Sequence, residues 1–171
     1  LGISKDNILH ERQRRNPHLI QTLHDLKLME GEGSGYDLVY EKLSADAKPF
    51  PEIESHFNKM SVTVYSNIID EEALSVIDYV NKHFHLTQKE IITLGVVATR
   101  KKVLSTQLSL TLQLNQEDKL KHWVGTLLDK NILISRGVKK GTEYLLNPDL
   151  FSQAKLNLTP SLKTIEPYKL E

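Results

Sequence analysis

Residues 104–146 carry the pattern that most restricts this chain: an apolar helical stripe followed at once by two strand-like runs around a basic, glycine-flanked loop. Leu120, Trp123, Val124, Leu127 and Leu128 recur at i, i+3, i+4, i+7 and i+8, which puts all five on one face of a helix over residues 116–130. Asn115 suits the cap of that helix, and Asp118 three residues on reaches back to the cap or favours the positive helix start. Residues 132–135 and 142–146 have strand composition, and Arg136-Gly137-Val138-Lys139-Lys140-Gly141 joins them as a hairpin loop. A helix leading straight into a basic hairpin is how a winged helix sets one element in the major groove and a wing on the backbone. Just upstream, Leu108, Leu110, Leu112 and Leu114 alternate with polar residues as in a strand. A strand there has no obvious partner. The reading adopted is a short helix with Leu108 and Leu112 inward, Leu114 plugging the turn and Leu110 left near the surface.

With 171 residues the chain holds one large domain or two small ones. Its 22 Lys+Arg balance 22 Asp+Glu, so bulk basicity gives no argument for nucleic acid. Residues 103–141 are mildly basic, with six cations against three acids, whereas residues 1–66 carry eight against ten. The absence of cysteine excludes disulfides and thiolate metal sites and points to the cytoplasm. No apolar run approaches membrane-spanning length and no signal peptide is visible, so no membrane partner is expected. The first residue is Leu1 rather than Met, which reads as a piece of a longer protein.

Residues 1–15 read as a solvated loop with Arg12, Arg14 and Arg15 together. Asn16-Pro17 opens a helix with Leu19, Ile20, Leu23, Leu26 and Leu28 as its buried face. After the glycine-rich stretch at 30–35 a second helix over residues 36–43 offers Leu38, Val39 and Leu43. Pro49 and Pro51 demand an extended link, and a hairpin turning at Asn58-Lys59 follows, with Met60, Val62 and Val64 alternating against polar residues. Beyond a boundary at 67–70, Ala73, Leu74, Ile77 and Val80 predict one helix. Thr87 with Glu90 forms the capping box of another, carried by Ile91, Leu94, Val97 and Ala98. Residues 149–154 can make one more turn before the tail.

At Arg15-Asn16-Pro17, Glu30…Gly33-Ser34-Gly35 and the Pro49/Pro51 pair before a hairpin, the first 66 residues resemble a bacterial family of RecG-like helicase C-terminal domains and transcriptional regulators. In that family a truncated GHKL-ATPase-like α/β domain follows a Schlafen/Alba-like domain and often precedes a winged helix. The second half is similar to that winged helix at Gly137, Gly141, Thr142, Tyr144 and Pro148. Lys27 stands where members commonly have Gly, and Tyr36 where they have Ile. The Asn-bearing helix that holds metal–nucleotide in a complete GHKL fold would lie upstream of Leu1, and no Walker A lysine loop or helicase motor motif is present. The resemblance implies an α+β chain: a partial GHKL-like segment at 1–66, a winged helix-turn-helix at 67–150 and a flexible tail at 151–171.

Gly31, Gly33, Ser34 and Gly35 before a helix are the candidate phosphate cradle, against the simpler reading of a tight turn needing positive φ; Glu30, Glu32 and Asp37 around them repel an anion. The seven histidines show no metal-ligand spacing, and no base neighbours Ser34 or Ser105, so neither a metal nor a catalytic set is assigned. No cofactor is expected for these residues, with ATP a prospect only for a longer protein. The DNA candidates are Gln116, Lys119, Lys121, His122 and Thr126 on the long helix, and Arg136, Lys139 and Lys140 in the wing. Glu117 and Asp118 at the helix start count against base contacts there. The expected function is a transcriptional regulator binding duplex DNA as a homodimer. The alternatives are a nucleotide-binding ATPase-like module incomplete here, or a winged helix used for dimerisation.

Overall fold

A computed structural model describes residues 6–10, 16–29, 35–56, 59–114 and 120–157. Its elements pack around helix α4 (Gln88–Arg100), whose residues 92–98 are buried in unbroken succession, as a helix does only when neighbours surround it. The capping box predicted from sequence starts it: the Thr87 N–H donates to the Glu90 carboxylate at 2.7 Å and the Glu90 N–H to the Thr87 hydroxyl at 3.4 Å. Thr93, fully buried, returns its hydroxyl to the Lys89 carbonyl at 2.8 Å, so its polar atom is satisfied within the helix. Lys101 ends the helix in the left-handed region at φ 66°. Helix α3 (Glu71–His83) lies alongside, capped by Asp70, which accepts from Glu72 N–H and Ala73 N–H at 2.9 and 3.0 Å. Ala73, Val76, Ile77 and Val80 form its buried face.

After α4 come strand β3 (Lys102–Leu104), helix α5 (Ser105–Thr111), helix α6 (Lys121–Asp129) and the hairpin of β4 (Leu133–Arg136) with β5 (Glu143–Leu146). The three strands form an antiparallel sheet in the order β3-β5-β4, with Val103 and Ser135 both opposite Tyr144. The first two alternating leucines, Leu108 and Leu110, are helical, and Leu112 is the C-cap of the helix. Leu108 and Leu112, one turn apart, are 0% exposed, while Leu110 on the far side is 78% exposed. The chain's strand at this point is β3, three residues that pair with β5 before the leucines begin. Helix α7 (Pro148–Asn157) runs into the segment read from sequence as tail, packs on α3 and buries Leu150 and Ala154. Residues 158–171 lie outside the described residues.

The first region is built differently. Helix α1 (Pro17–Asp25) buries none of its residues; Leu19 and Leu26 are more than half exposed, and Leu28 just beyond is more exposed still. The expectation of a buried face there is corrected, because the described residues do not cover it. Helix α2 (Gly35–Ala45) buries Tyr40, Leu43 and Ser44 rather than Leu38 and Val39, since the first three lie on the side facing α4. At that crossing Gly95 matters: a Cβ there would meet Ser44 Cβ at 2.5 Å and its Cα and carbonyl oxygen at 2.8 Å. Strands β1 (Glu52–His56) and β2 (Lys59–Thr63) pair antiparallel with Ile53 opposite Val62; Ile53 is buried while Met60 and Val62 are exposed. The hairpin tip at 57–58 lies outside the described residues. Residues 6–10 depart from the expected solvated loop. Ile8 and Leu9 are buried, the Leu9 N–H donates to Gln113 Oε1 and His10 Nε2 bonds the Leu112 carbonyl, both at 2.9 Å. These contacts fasten the segment to the turn after α5. The described chain is thus mixed α and β, with helices around two small antiparallel sheets.

Candidate nucleic-acid interface

Helix α6 is held by Trp123, Val124 and Leu127, all buried. Trp123 is fixed on two sides: the His10 ring meets it edge-on at 6.0 Å between centroids, and the Lys89 ammonium lies 5.3 Å over its ring. Anchoring that stripe leaves Lys121 and His122 exposed on the outer face. Thr126 is half-buried and its hydroxyl bonds the Glu90 carboxylate on α4. Burial pushes the Glu90 carboxyl up, but the Thr87 N–H, the Thr126 and Thr87 hydroxyls and the nearby Lys130 charge together hold it below its usual range. Lys130 is itself committed, donating to the His85 carbonyl at 2.9 Å. Gln116 and Lys119, with the Asn115 cap and Asp118, lie outside the described residues; the described helix begins at Lys121.

The hairpin loop is shaped by its glycines. Gly137 takes φ +84°, and a Cβ there would fall 2.3 Å from the Gly141 carbonyl oxygen. A 3₁₀ turn at Lys139–Gly141 follows, closed by Gly141 N–H to Val138 O at 3.1 Å, and Lys139 adopts φ 54°. The Ser105 N–H donates to Thr142 O at 2.8 Å, so the loop is tied to the start of α5. Arg136 and Lys139 are exposed; Lys140 lies in the same loop. Opposite Arg136 in the ladder stands Glu143, whose carboxylate is 4.0 Å from the Lys102 ammonium. By sequence Lys102 belongs to a helix end, and only the pairing of β3 with β5 brings it beside the hairpin. Thr106 and Gln107 on α5 are exposed as well, and no sequence signal marks them.

Of the candidate phosphate cradle, Gly35 alone is described: it is the first residue of α2, has open space around it and does not take positive φ. Gly31, Gly33 and Ser34 lie outside the described residues, as do Arg12, Arg14 and Arg15. Among the described residues no group of three or more His, Cys, Asp or Glu side chains could hold a metal ion, and no helix is long and apolar enough to cross a membrane.

Residues 2–64 match the model of a family described as "Putative ATP-dependent DNA helicase recG C-terminal". The match bears out the RecG-like resemblance of the first region and covers less than half of the chain. No curated protein and no solved structure matches the chain.

Proposed function

We propose that residues 67–150 are a winged helix that binds duplex DNA, in the C-terminal part of a RecG-like transcriptional regulator acting in the cytoplasm. The observation that carries this reading is the order α4–β3–α5–α6–β4–β5 with the sheet order β3-β5-β4. That arrangement leaves the outer face of α6 and the tip of the β4–β5 hairpin available to one duplex. Lys121 and His122 on the helix, and Arg136, Lys139 and Lys140 in the hairpin, are then phosphate contacts; Gln116 and Lys119 nearer the helix start are the candidates for base edges. Near-neutral overall charge and Glu143 beside Arg136 make one copy a weak binder, so tight binding calls for a homodimer on two half-sites. Thr126, half-buried beside Glu90, is the remaining DNA candidate on the helix.

A second reading, in which this face serves contact between copies, is favoured by two side chains. Leu110 on α5 and Val138 at the hairpin tip are apolar and 78% and 79% exposed. Fluorescence anisotropy on duplex DNA across a salt series separates the two. DNA binding predicts that replacing Lys139 and Lys140 together by Ala weakens binding to all sequences alike and flattens the dependence of log K on log salt by about two units. Superimposable curves for the two proteins, or no binding at low salt, would leave the interaction module as the better account.

A further inference from the structure

Two residues past the end of α2 the chain turns at a residue that takes no part in the DNA reading. Ala47 adopts φ 51° and turns the chain so that Lys48, Pro49 and Phe50 pass over the C-terminal half of α4. The turn is held by Lys48 N–H donating to Leu43 O at 2.8 Å and by Ile69 N–H donating to Ala47 O at 2.9 Å. Beneath it lies a cavity of ≈ 230 Å³. Phe50, Ile69 and Val96 give it apolar walls, Lys48 and Arg100 are its charged residues, and Ser44 lies where α2 crosses α4. No carboxylate lines it. Ser44 is 2% exposed, and its hydroxyl is, among the described residues, the one buried side-chain polar atom without a hydrogen-bond partner.

Both cations have contacts of their own. The Lys48 ammonium pairs with Asp46 at 2.8 Å, and Arg100 Nη1 donates to the Thr111 hydroxyl on α5 at 3.0 Å. A guanidinium carries five N–H donors and an ammonium three, so each has capacity beyond that contact. We propose that this cavity binds a small apolar carboxylate, its hydrocarbon part against Phe50, Ile69 and Val96 and its carboxylate between Lys48 and Arg100. The volume falls below the ~300–1,000 Å³ of drug-sized sites, so the occupant is small. The apolar walls select against an inorganic anion. The C-terminal, partially negative ends of α2 and α4 also lie here and oppose any anion, so the carboxylate depends on both Lys48 and Arg100. The site stands whether or not the second half binds DNA.

The test is a titration of the ¹⁵N-labelled chain with benzoate and with isovalerate, against benzamide and inorganic phosphate as controls, followed by amide chemical shifts. Saturable shifts are expected at Ser44, Ile69, Gly95 and Val96, and at Thr111 as the anion draws on Arg100. Lys48→Gln and Arg100→Gln should each weaken benzoate binding about tenfold, the loss of one charge-assisted contact, and Lys82→Gln on the far end of α3 should not change it. Arg100→Gln also removes a bond to α5, so Lys48→Gln is the deciding variant should the former lose its dispersed spectrum. Shifts that fail to saturate up to about 10 mM, an equal response to benzamide or phosphate, or affinity indifferent to Lys48→Gln would each overturn the proposal.

Discussion

The two regions of this chain spend their apolar residues differently. From α3 to β5, each long helix sinks a complete face: Val76, Ile77 and Val80 on α3, Leu94 and Val97 on α4, Trp123, Val124 and Leu127 on α6. In the first region α1 buries nothing, β2 leaves Met60 and Val62 exposed, and α2 leaves Leu38 half exposed. The difference is one of partners rather than of composition. Both regions carry amphipathic stretches, yet the second supplies opposing faces for its own, while the first borrows α4 for α2 and the α5–α6 turn for residues 6–10. Stability should therefore be lopsided, with the first region held by what it touches in the second.

The sharpest way to break the comparison is to truncate one leucine from each region. Leu127→Ala, fully buried on α6, should cost about 2–5 kcal/mol, and Leu19→Ala on α1 should change stability by no more than about 0.5 kcal/mol. Urea unfolding gives both numbers, and comparable losses would erase the distinction. A smaller effect is expected where the regions meet. Gly95→Ala places a Cβ against Ser44; overpacking of about 1–3 kcal/mol is partly offset by about 1 kcal/mol of gained helix propensity. Ser44→Gly in the same chain should recover part of the loss, which a double-mutant cycle would register.

Acid titration sharpens the picture of the second region. Asp70 is held below its usual range chiefly by the Ala73 N–H, with help from Lys101 at 3.4 Å, and Glu90 is lowered as described. Folded pKa values below the unfolded ones mean that this stabilisation is complete above pH ~4–5 and is lost as pH falls through the folded values. Asp70→Asn and Glu90→Gln should each flatten the fall in melting temperature on acidification, and Thr87→Ala should cost about 1 kcal/mol at neutral pH. The smallest global effect belongs to Gly137→Ala. A Cβ held at φ +84° would cost about 1–3 kcal/mol, but an exposed hairpin loop can rearrange to relieve most of it, so the melting temperature should fall by only about a degree or two while loop amide shifts change widely.

What could be read from the sequence followed how local each cause is. The Thr87–Glu90 capping box involves residues three apart and was legible outright. The leucine alternation at 108–114 needed an architectural argument, since a period of two and a helical pair at i, i+4 share the same residues. The exposed face of α1 was illegible, because amphipathicity marks which side would be buried and says nothing about whether a partner exists. The same limit hid α4 as the hub, since Gly95 and Thr93 look unremarkable until α2 is laid across them. In the candidate site, exposure of Lys121, His122, Arg136 and Lys139 was legible in advance. The approach of Thr126 to Glu90 and of Lys102 to the hairpin depends on contacts across the fold.

Native-state hydrogen exchange resolved by residue tests the central claim most directly, because it reads local stability along the whole chain at once. Lopsided stability predicts that amides of α3, α4 and α6 exchange only by global unfolding. Those of α2 should be protected to a lesser, Gly95-sensitive degree, and those of α1 and the β1–β2 hairpin should exchange by local opening at far lower cost. Protection of α1 equal to that of α4 in the isolated chain would contradict it.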